Sequence, residues 1–232
     1  MKKIFIDPGH GGRDPGAIAN GLQEKSITLA IALQTKVFLE QNYEGVLVQL
    51  SRSTDQTLSL VQRTNMANQW QADLFVSIHV NAGGGTGFES FIYDGLFAER
   101  AKTDEIRKMI HHEIVQGSDF FDRGCKAANF HVLRATRMSA VLVENGFIDR
   151  LEDARQLKSY AFIERLALAH ANGIAKAIKL LKQDKRIWHV IIKGDTLWSL
   201  AQSYQTSVEQ LMKLNTSINP LSLQIGQKIR VN

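Results

Sequence analysis

The chain has 232 residues, 44% of them hydrophobic and 22% charged, enough apolar material for one large domain or one medium and one small, which excludes a disordered chain. A single cysteine, Cys125, excludes an intramolecular disulfide and any multi-cysteine metal site. The formal net charge of +5 favours an anionic partner in a general way, but it is spread along the chain and names none. Met1-Lys2-Lys3 runs straight into a strand-like segment, without the apolar stretch and small-residue cleavage site of a secretory signal, so synthesis in the cytoplasm is expected. No segment approaches the roughly 18 consecutive apolar residues of a spanning helix.

The first predicted element is a strand from Lys3 to Ile6, ending in Asp7-Pro8-Gly9-His10-Gly11-Gly12. That glycine-framed turn leaves His10 as a polar, metal-competent side chain at the carboxyl end of a strand, where α/β sheets place their chemistry. A helix from about Gln23 to Gln41 follows, with Ile27, Ala30, Ile31, Gln34, Val37 and Phe38 in a near-3.6 repeat. Next come a strand Val46 to Leu50, a helix Leu58 to Gln71, an apolar strand Leu74 to Ile78 and a strand Gly87 to Tyr93 after a glycine-rich turn. A long helix covers roughly Phe97 to Val115, Phe130 to Leu133 and Ala140 to Val143 read as strands, and a helix from Tyr160 to Leu181 closes the unit. Its Phe162, Leu166, Ala169, Gly173, Ala177 and Leu181 form one face. Strands alternating with amphipathic helices predict an α/β fold, a mostly parallel sheet flanked by helices on both faces.

At Lys182-Gln183-Asp184-Lys185-Arg186 the helical pattern breaks, which predicts a first domain over 1–181, a linker at 182–186 and a small C-terminal βααβ domain over 187–232. The small domain reads as a strand Trp188 to Ile192, a turn Lys193-Gly194-Asp195, helices Thr196 to Tyr204 and Ser207 to Leu214, a loop through Asn219-Pro220 and a strand Lys228 to Val231. Asp195 and Ser207 are the expected N-caps.

The element order brings His10, Glu24 and His79 to one rim of the sheet: the first follows strand one, the second opens the first helix, the third ends the strand Leu74 to Ile78. Two imidazoles and a carboxylate are the ligand set of many catalytic zinc sites, with a fourth position open for water whose pKa the metal lowers to about 7. Glu144 ends the strand Ala140 to Val143 on the same rim, placed to act as general base and acid. The three glycines around His10 are expected to leave room beside the metal for a polymeric substrate. Glu89 is a second-choice site residue, and Arg63 and Arg134 are expected in structural ion pairs more than on substrate. His111 and His112 are adjacent on a helix and point apart, so no joint ligand role is expected.

The segments Ile6 to Gly12, Glu24-Lys25, Ser51-Arg52 with Asp55 and Arg63, Ala72 to Ala82, Arg123-Gly124, Val132-Leu133-Arg134 and Val141 to Ile148 resemble the zinc-dependent N-acetylmuramoyl-L-alanine amidases, in order, over roughly residues 1–181. The resemblance implies one Zn2+ held by His10, Glu24 and His79, with Glu144 as catalytic acid/base. It also implies the substrate, the amide between the lactyl group of N-acetylmuramic acid and L-alanine of the peptidoglycan stem. Ser139, where the family commonly has proline, and Val80, where it has alanine, depart from the pattern without touching a ligand.

The C-terminal unit resembles a LysM module through Trp188 to Ala201, Val208 to Asn215 and Ile225 to Ile229. That resemblance implies glycan binding between the turn at Gly194, Asp195 and Thr196 and the loop at Asn219, Pro220 and Leu221, with Leu197, Leu200, Leu211 and Leu214 as core. Peptidoglycan is the expected partner, with neither nucleic acid nor membrane, and the enzyme is expected to act on the wall after release, as a phage endolysin, which the compact catalytic-plus-binding layout favours, or a mother-cell autolysin. The competing class is a non-catalytic wall-binding protein, against which the intact set of four polar site residues argues. A phosphate cradle at Gly9 to Gly12 fails on pattern, since neither a Lys-Ser/Thr ending nor a dinucleotide fingerprint is present.

Overall fold

The computed structural model describes residues 1–220 and 222–232. Among these described residues the chain forms two units, Met1–Lys182 and Gln183–Asn232. In the first, β1 (Lys2–Pro8) leads through a small hairpin, β2 (Ile18–Ala19) and β3 (Leu22–Gln23), into α1 (Glu24–Asn42). Then follow β4 (Val46–Leu50), α2 (Leu60–Trp70), β5 (Leu74–Asn81), β6 (Phe88–Ile92), α3 (Arg100–Gly117), β7 (Asp122–Ala127), α4 (His131–Arg134), β8 (Ser139–Phe147), α5 (Leu151–Leu157) and α6 (Tyr160–Ala177). The sheet order is β4-β1-β5-β8-β6-β7, parallel throughout except for the antiparallel pair β6–β8.

The period-2 alternation of strands sorts the apolar side chains onto two faces. Ile4 and Ile6, Val76 and Ile78, and Val141 and Val143 share one core with Ile31, Ile110 and Leu166 from α1, α3 and α6. Phe5, Phe75 and Leu142 point the other way, onto Ala67 of α2 and Leu133 of α4. Phe5 stacks on Phe75 with ring centroids 5.8 Å apart, and burial of each such ring contributes about 1.5–3 kcal/mol. Continuing the same alternation, Ser77 and His79 on β5 and Glu144 on β8 fall on the α2/α4 face at the carboxyl end of their strands.

Several boundaries differ from the sequence reading. The segment 130–133, predicted as a strand, is the single helical turn α4, whose Val132 and Leu133 are buried in the core beneath α2. The edge strand is instead Asp-Arg-Gly-Cys-Lys-Ala of β7, which lacks any apolar alternation because one side of it has no strand neighbour. Helix α6 stops at Ala177, since Lys179 adopts the left-handed region (φ 58°) and the Leu180 amide donates back to Ala175 O at 2.8 Å. Leu181 consequently lies 72% exposed instead of on the helix face. On α1 the buried face runs through Ile27, Thr28, Ile31, Ala32, Thr35 and Leu39, while Val37 is exposed. The two threonines are buried with their hydroxyls satisfied by Gly9 O and Ala167 O, so a polar residue type marks the inner face.

The second unit pairs β9 (Trp188–Val190) with β10 (Lys228–Arg230) antiparallel, around α7 (Leu197–Ser203) and α8 (Val208–Leu214). Ile191, Leu197, Leu200, Ala201, Leu211, Ile229 and Val231 form its core. Thr196, not Asp195, caps α7 by accepting from the Ser199 amide at 3.0 Å; Ser207 caps α8. Asp195 instead closes the preceding turn, accepting from the Ile192 amide and from His189 Nε2. Among the described residues no helix is long and apolar enough to cross a membrane.

Candidate metal centre

The site begins with a backbone problem: His10 sits at φ 60°, a conformation unfavourable for a side-chain-bearing residue. Two buried arginines hold it there. Arg52 donates to Pro8 O at 3.1 Å and Gly9 O at 2.8 Å, while Arg63 donates to Pro8 O at 2.7 Å and His10 O at 2.6 Å. Arg63 also pairs with buried Asp7 at 2.8 Å, and Asp7 takes further bonds from Ser51 and Ser77. Three consecutive carbonyls therefore end on guanidinium groups, so Arg63 is a structural residue here, as expected.

The glycines do not open space for a polymer, contrary to the sequence reading. A Cβ on Gly9 would lie 2.3 Å from Cε1 of His79, and on Gly12 2.2 Å from Thr57 Oγ1. On Gly11 it would meet Gln56 O at 2.4 Å, and on Gly16 Glu24 Oε2 at 2.5 Å. Each glycine is needed because protein atoms already fill the place of its side chain.

Glu24, at the start of α1 and 4% exposed, accepts from the amides of Ala17 and Val80. Its oxygens lie 3.1 Å from His10 Nε2 and 3.0 Å from His79 Nδ1. One donor atom from each of His10, Glu24 and His79 falls within 4.8 Å of the others, so the three sequence-predicted residues do converge. The second nitrogen of His10 meets Asp14 Oδ2 at 2.8 Å, a carboxylate–histidine pair of the kind that orients metal ligands. Burial would raise the Glu24 carboxyl, but hydrogen bonds from both imidazoles outweigh it and hold the group far below the usual carboxylate range. Burial likewise pulls His10 down, and Glu24 and Asp14 together bring it above its ordinary value. A charge-rich, hydrogen-bonded trio of this composition is a donor set suited to zinc.

Glu144 is in register with His79 on β5 and, across the other edge of β8, with Glu89 on β6. The side chains of His79, Glu144 and Glu89 therefore stand in a row on one face. Glu144 Oε2 is inaccessible to solvent and has no hydrogen-bond partner among the described residues. Burial, then the charges of Glu24 and Glu89, push its carboxyl well above the ordinary value. Glu89 behaves oppositely. Burial would raise it, yet Lys126 and Arg123 hold it low, and Asn81 Nδ2 donates to its other oxygen at 2.8 Å. Two carboxyl groups on neighbouring strands thus carry divergent proton affinities, the pattern that separates an acid/base from a fixed charge.

Behind the site, Asn145 Nδ2 donates to the carbonyl of His79 at 3.0 Å, and Asn145 Oδ1 accepts from His170 Nε2 at 2.8 Å. Burial alone pushes the His170 imidazole down to about 3, so it is neutral. A cleft of about 240 Å³, lined by Gly9, His10, His79, Ser59 and Arg63 among others, gives access to the imidazoles. Arg52, Asp14, Asn145 and His170 were not singled out as site residues by sequence reasoning. Asp14 stands four residues after His10 and Arg52 belongs to the Ser51-Arg52 segment, whereas nothing local marks His170. His111 and His112 diverge as expected, the first buried on Ser90 and Asp122, the second exposed. Arg134 bonds Asn129.

The family described as N-acetylmuramoyl-L-alanine amidase matches residues 4–176, three quarters of the chain. The chain belongs to that family. LysM matches residues 189–232. The amidase CwlM of Bacillus licheniformis is 57% identical over 209 residues, covering 90% of this chain and 81% of its own. The sporulation-specific N-acetylmuramoyl-L-alanine amidase of Bacillus subtilis is 58% identical over 182 residues, 78% and 70% of the two chains. The solved catalytic domain of the amidase CwlV from Bacillus (Paenibacillus) polymyxa superposes with TM-score 0.72 at 34% identity, covering 78% of this chain and 100% of that one. This amidase is accordingly a peptidoglycan hydrolase carrying a LysM domain, and the non-catalytic reading gives way.

Proposed function

We propose that residues 1–181 hydrolyse the N-acetylmuramoyl-L-alanine amide with one zinc ion held by His10, Glu24 and His79. The convergence of these three donors beside the in-register Glu144 carries the proposal. When bound, zinc supplies Lewis acidity that makes water nucleophilic near neutral pH. Asp14 fixes the His10 ring so that Nε2 faces Glu24 and the metal position. Glu144, buried and unpartnered through Oε2, takes the proton from the attacking water and delivers it to the departing nitrogen of L-alanine. Glu89, held ionised by Arg123 and Lys126, remains a fixed negative charge that raises the proton affinity of Glu144 and so strengthens it as the acceptor.

Residues 187–232 retain the enzyme on the glycan, with the turn at Gly194, Asp195 and Thr196 and the loop at Asn219 and Pro220 as the contact region; Leu221 lies outside the described residues. Residues 182–186 link the two. Peptidoglycan is the substrate and partner, met on the wall after release from the cell. Similarity to a sporulation-specific amidase and to the endolysin of Bacillus phage SPP1 supports a mother-cell enzyme and a phage endolysin alike. The test is Glu144→Gln with digestion of defined peptidoglycan. Wild type should release L-alanine amino termini without new reducing sugar ends, and the variant should keep its metal and lose activity. Full activity in the variant overturns the acid/base role, and new reducing ends from wild type overturn the bond assignment.

A further inference from the structure

Outside the metal centre, one cluster of reactive side chains has no part in the amidase mechanism. Cys125, exposed on the edge strand β7, is in register with Ser90 on β6. Ser90 Oγ lies 3.7 Å from Cys125 Sγ and 2.8 Å from His111 Nδ1, and the far nitrogen of His111 meets Asp122 Oδ1 at 2.8 Å. Cysteine, histidine and aspartate thus form a chain in which Asp122 supports positive charge on His111 and His111 supports negative charge near the thiol. Burial would raise the thiol, but His111 outweighs it and brings Cys125 below its ordinary value; burial would lower His111, but Cys125 and Asp122 bring it above.

Beside the thiol lies a cavity of about 550 Å³, whose charged side chains are Arg100, Arg107 and Asp104; Lys126 contributes its backbone, since its ammonium is paired with Glu89 on the opposite face of the sheet. Two cations, Arg100 and Arg107, face one carboxylate, and that carboxylate is already shared by Arg107 and Lys108. Arg107 is only 6% exposed, and its Nε has no hydrogen-bond partner among the described residues. A buried guanidinium with an unmet donor, next to an activated thiol, is a setting for a small anionic group.

We propose that Cys125 is a thiolation site that exchanges with a low-molecular-weight disulfide bearing carboxylates, whose acidic half stays in the cavity as a mixed disulfide. The Cys125 sulfur, as thiolate, attacks one sulfur of the small disulfide; that S–S bond breaks as the new one forms, and the second half leaves as a thiolate. The proton given up by Cys125 is held on His111 and passes to the leaving thiolate, so no other oxidant is consumed. The cavity cations select the half that is retained.

The experiment uses the full chain with glutathione disulfide as the anionic probe and cystamine as a cationic one, followed by intact mass and peptide mapping. Cys125 should take up one glutathionyl group about tenfold faster at pH 7 than a free cysteine derivative of ordinary pKa. It should also react faster with glutathione disulfide than with cystamine, and Cys125→Ser should show no adduct. Arg100→Gln should narrow the preference between the two probes and leave alkylation by neutral iodoacetamide unchanged; His111→Gln should bring the rate down to that of the free thiol. Reaction no faster than the free thiol, or cystamine reacting as fast as glutathione disulfide, overturns the proposal. Both comparisons are made on wild type, so they decide the matter even if His111→Gln fails to fold.

Discussion

His170 makes a demanding test of how the back of the metal site is built. Its ring is fully buried, its Nε2 donates to Asn145 Oδ1, and its Nδ1 has no partner among the described residues. The imidazole is pushed from 6.5 down to about 3. In the unfolded chain it takes up a proton below about pH 6.5, whereas the folded protein refuses that proton until about pH 3, so stability falls as pH drops through this window. Between pH 7 and pH 5 the single residue should remove about 2 kcal/mol, and the whole window corresponds to about 5 kcal/mol. The assay is urea unfolding of wild type and His170→Gln, both stripped with EDTA, at a series of pH values. Glutamine keeps a neutral polar group but cannot titrate, and every other group is common to both proteins. The stability difference between them should therefore shift by about 2 kcal/mol in favour of the variant from pH 7 to pH 5. Parallel pH profiles would refute the claim that His170 is locked neutral.

Gly9→Ala puts a methyl 2.3 Å from the His79 ring, so metal content after dialysis against limiting zinc should fall by tenfold or more while far-UV circular dichroism is retained, with affinity loss of about 10–100-fold as for other orienting contacts. Arg63→Met leaves Asp7, 1% exposed, as a buried charge without its ion-pair partner; a loss of about 3–5 kcal/mol in unfolding free energy, measured by urea titration, is expected. Leu211→Ala empties the centre of the small second core, at a cost of about 2–5 kcal/mol, most of what a unit of that size can hold. Binding to insoluble walls should fail in that variant while hydrolysis of a soluble muropeptide continues, as measured by pelleting and by amine release.

The alternation of strand and helix, and the rim on which His10, Glu24, His79 and Glu144 meet, were legible because each site residue directly follows or opens a strongly apolar element. What escaped was structure set by partners distant in sequence. The strand β7 carries Arg123, Cys125 and Lys126 in place of apolar residues, so nothing periodic betrays it; its pairing depends on β6. The end of α6 is made by a left-handed lysine, where a glycine would have announced the stop. The glycines around His10 were readable as a tight turn, but their reason lay in His79, Gln56 and Thr57, which only the folded chain brings near. Asn145 and His170 are separated by 25 residues, and their joint grip on the His79 carbonyl is a product of packing between β8 and α6.

The clamp of Arg52 and Arg63 on the carbonyls of Pro8, Gly9 and His10 separates two events that many small metalloproteins combine. The awkward turn at His10 is held by guanidinium groups of the chain itself. The folded chain is thus expected to load and unload a metal without being remade. Under the proposed function, chelation is expected to be a reversible off-switch that leaves the fold in place.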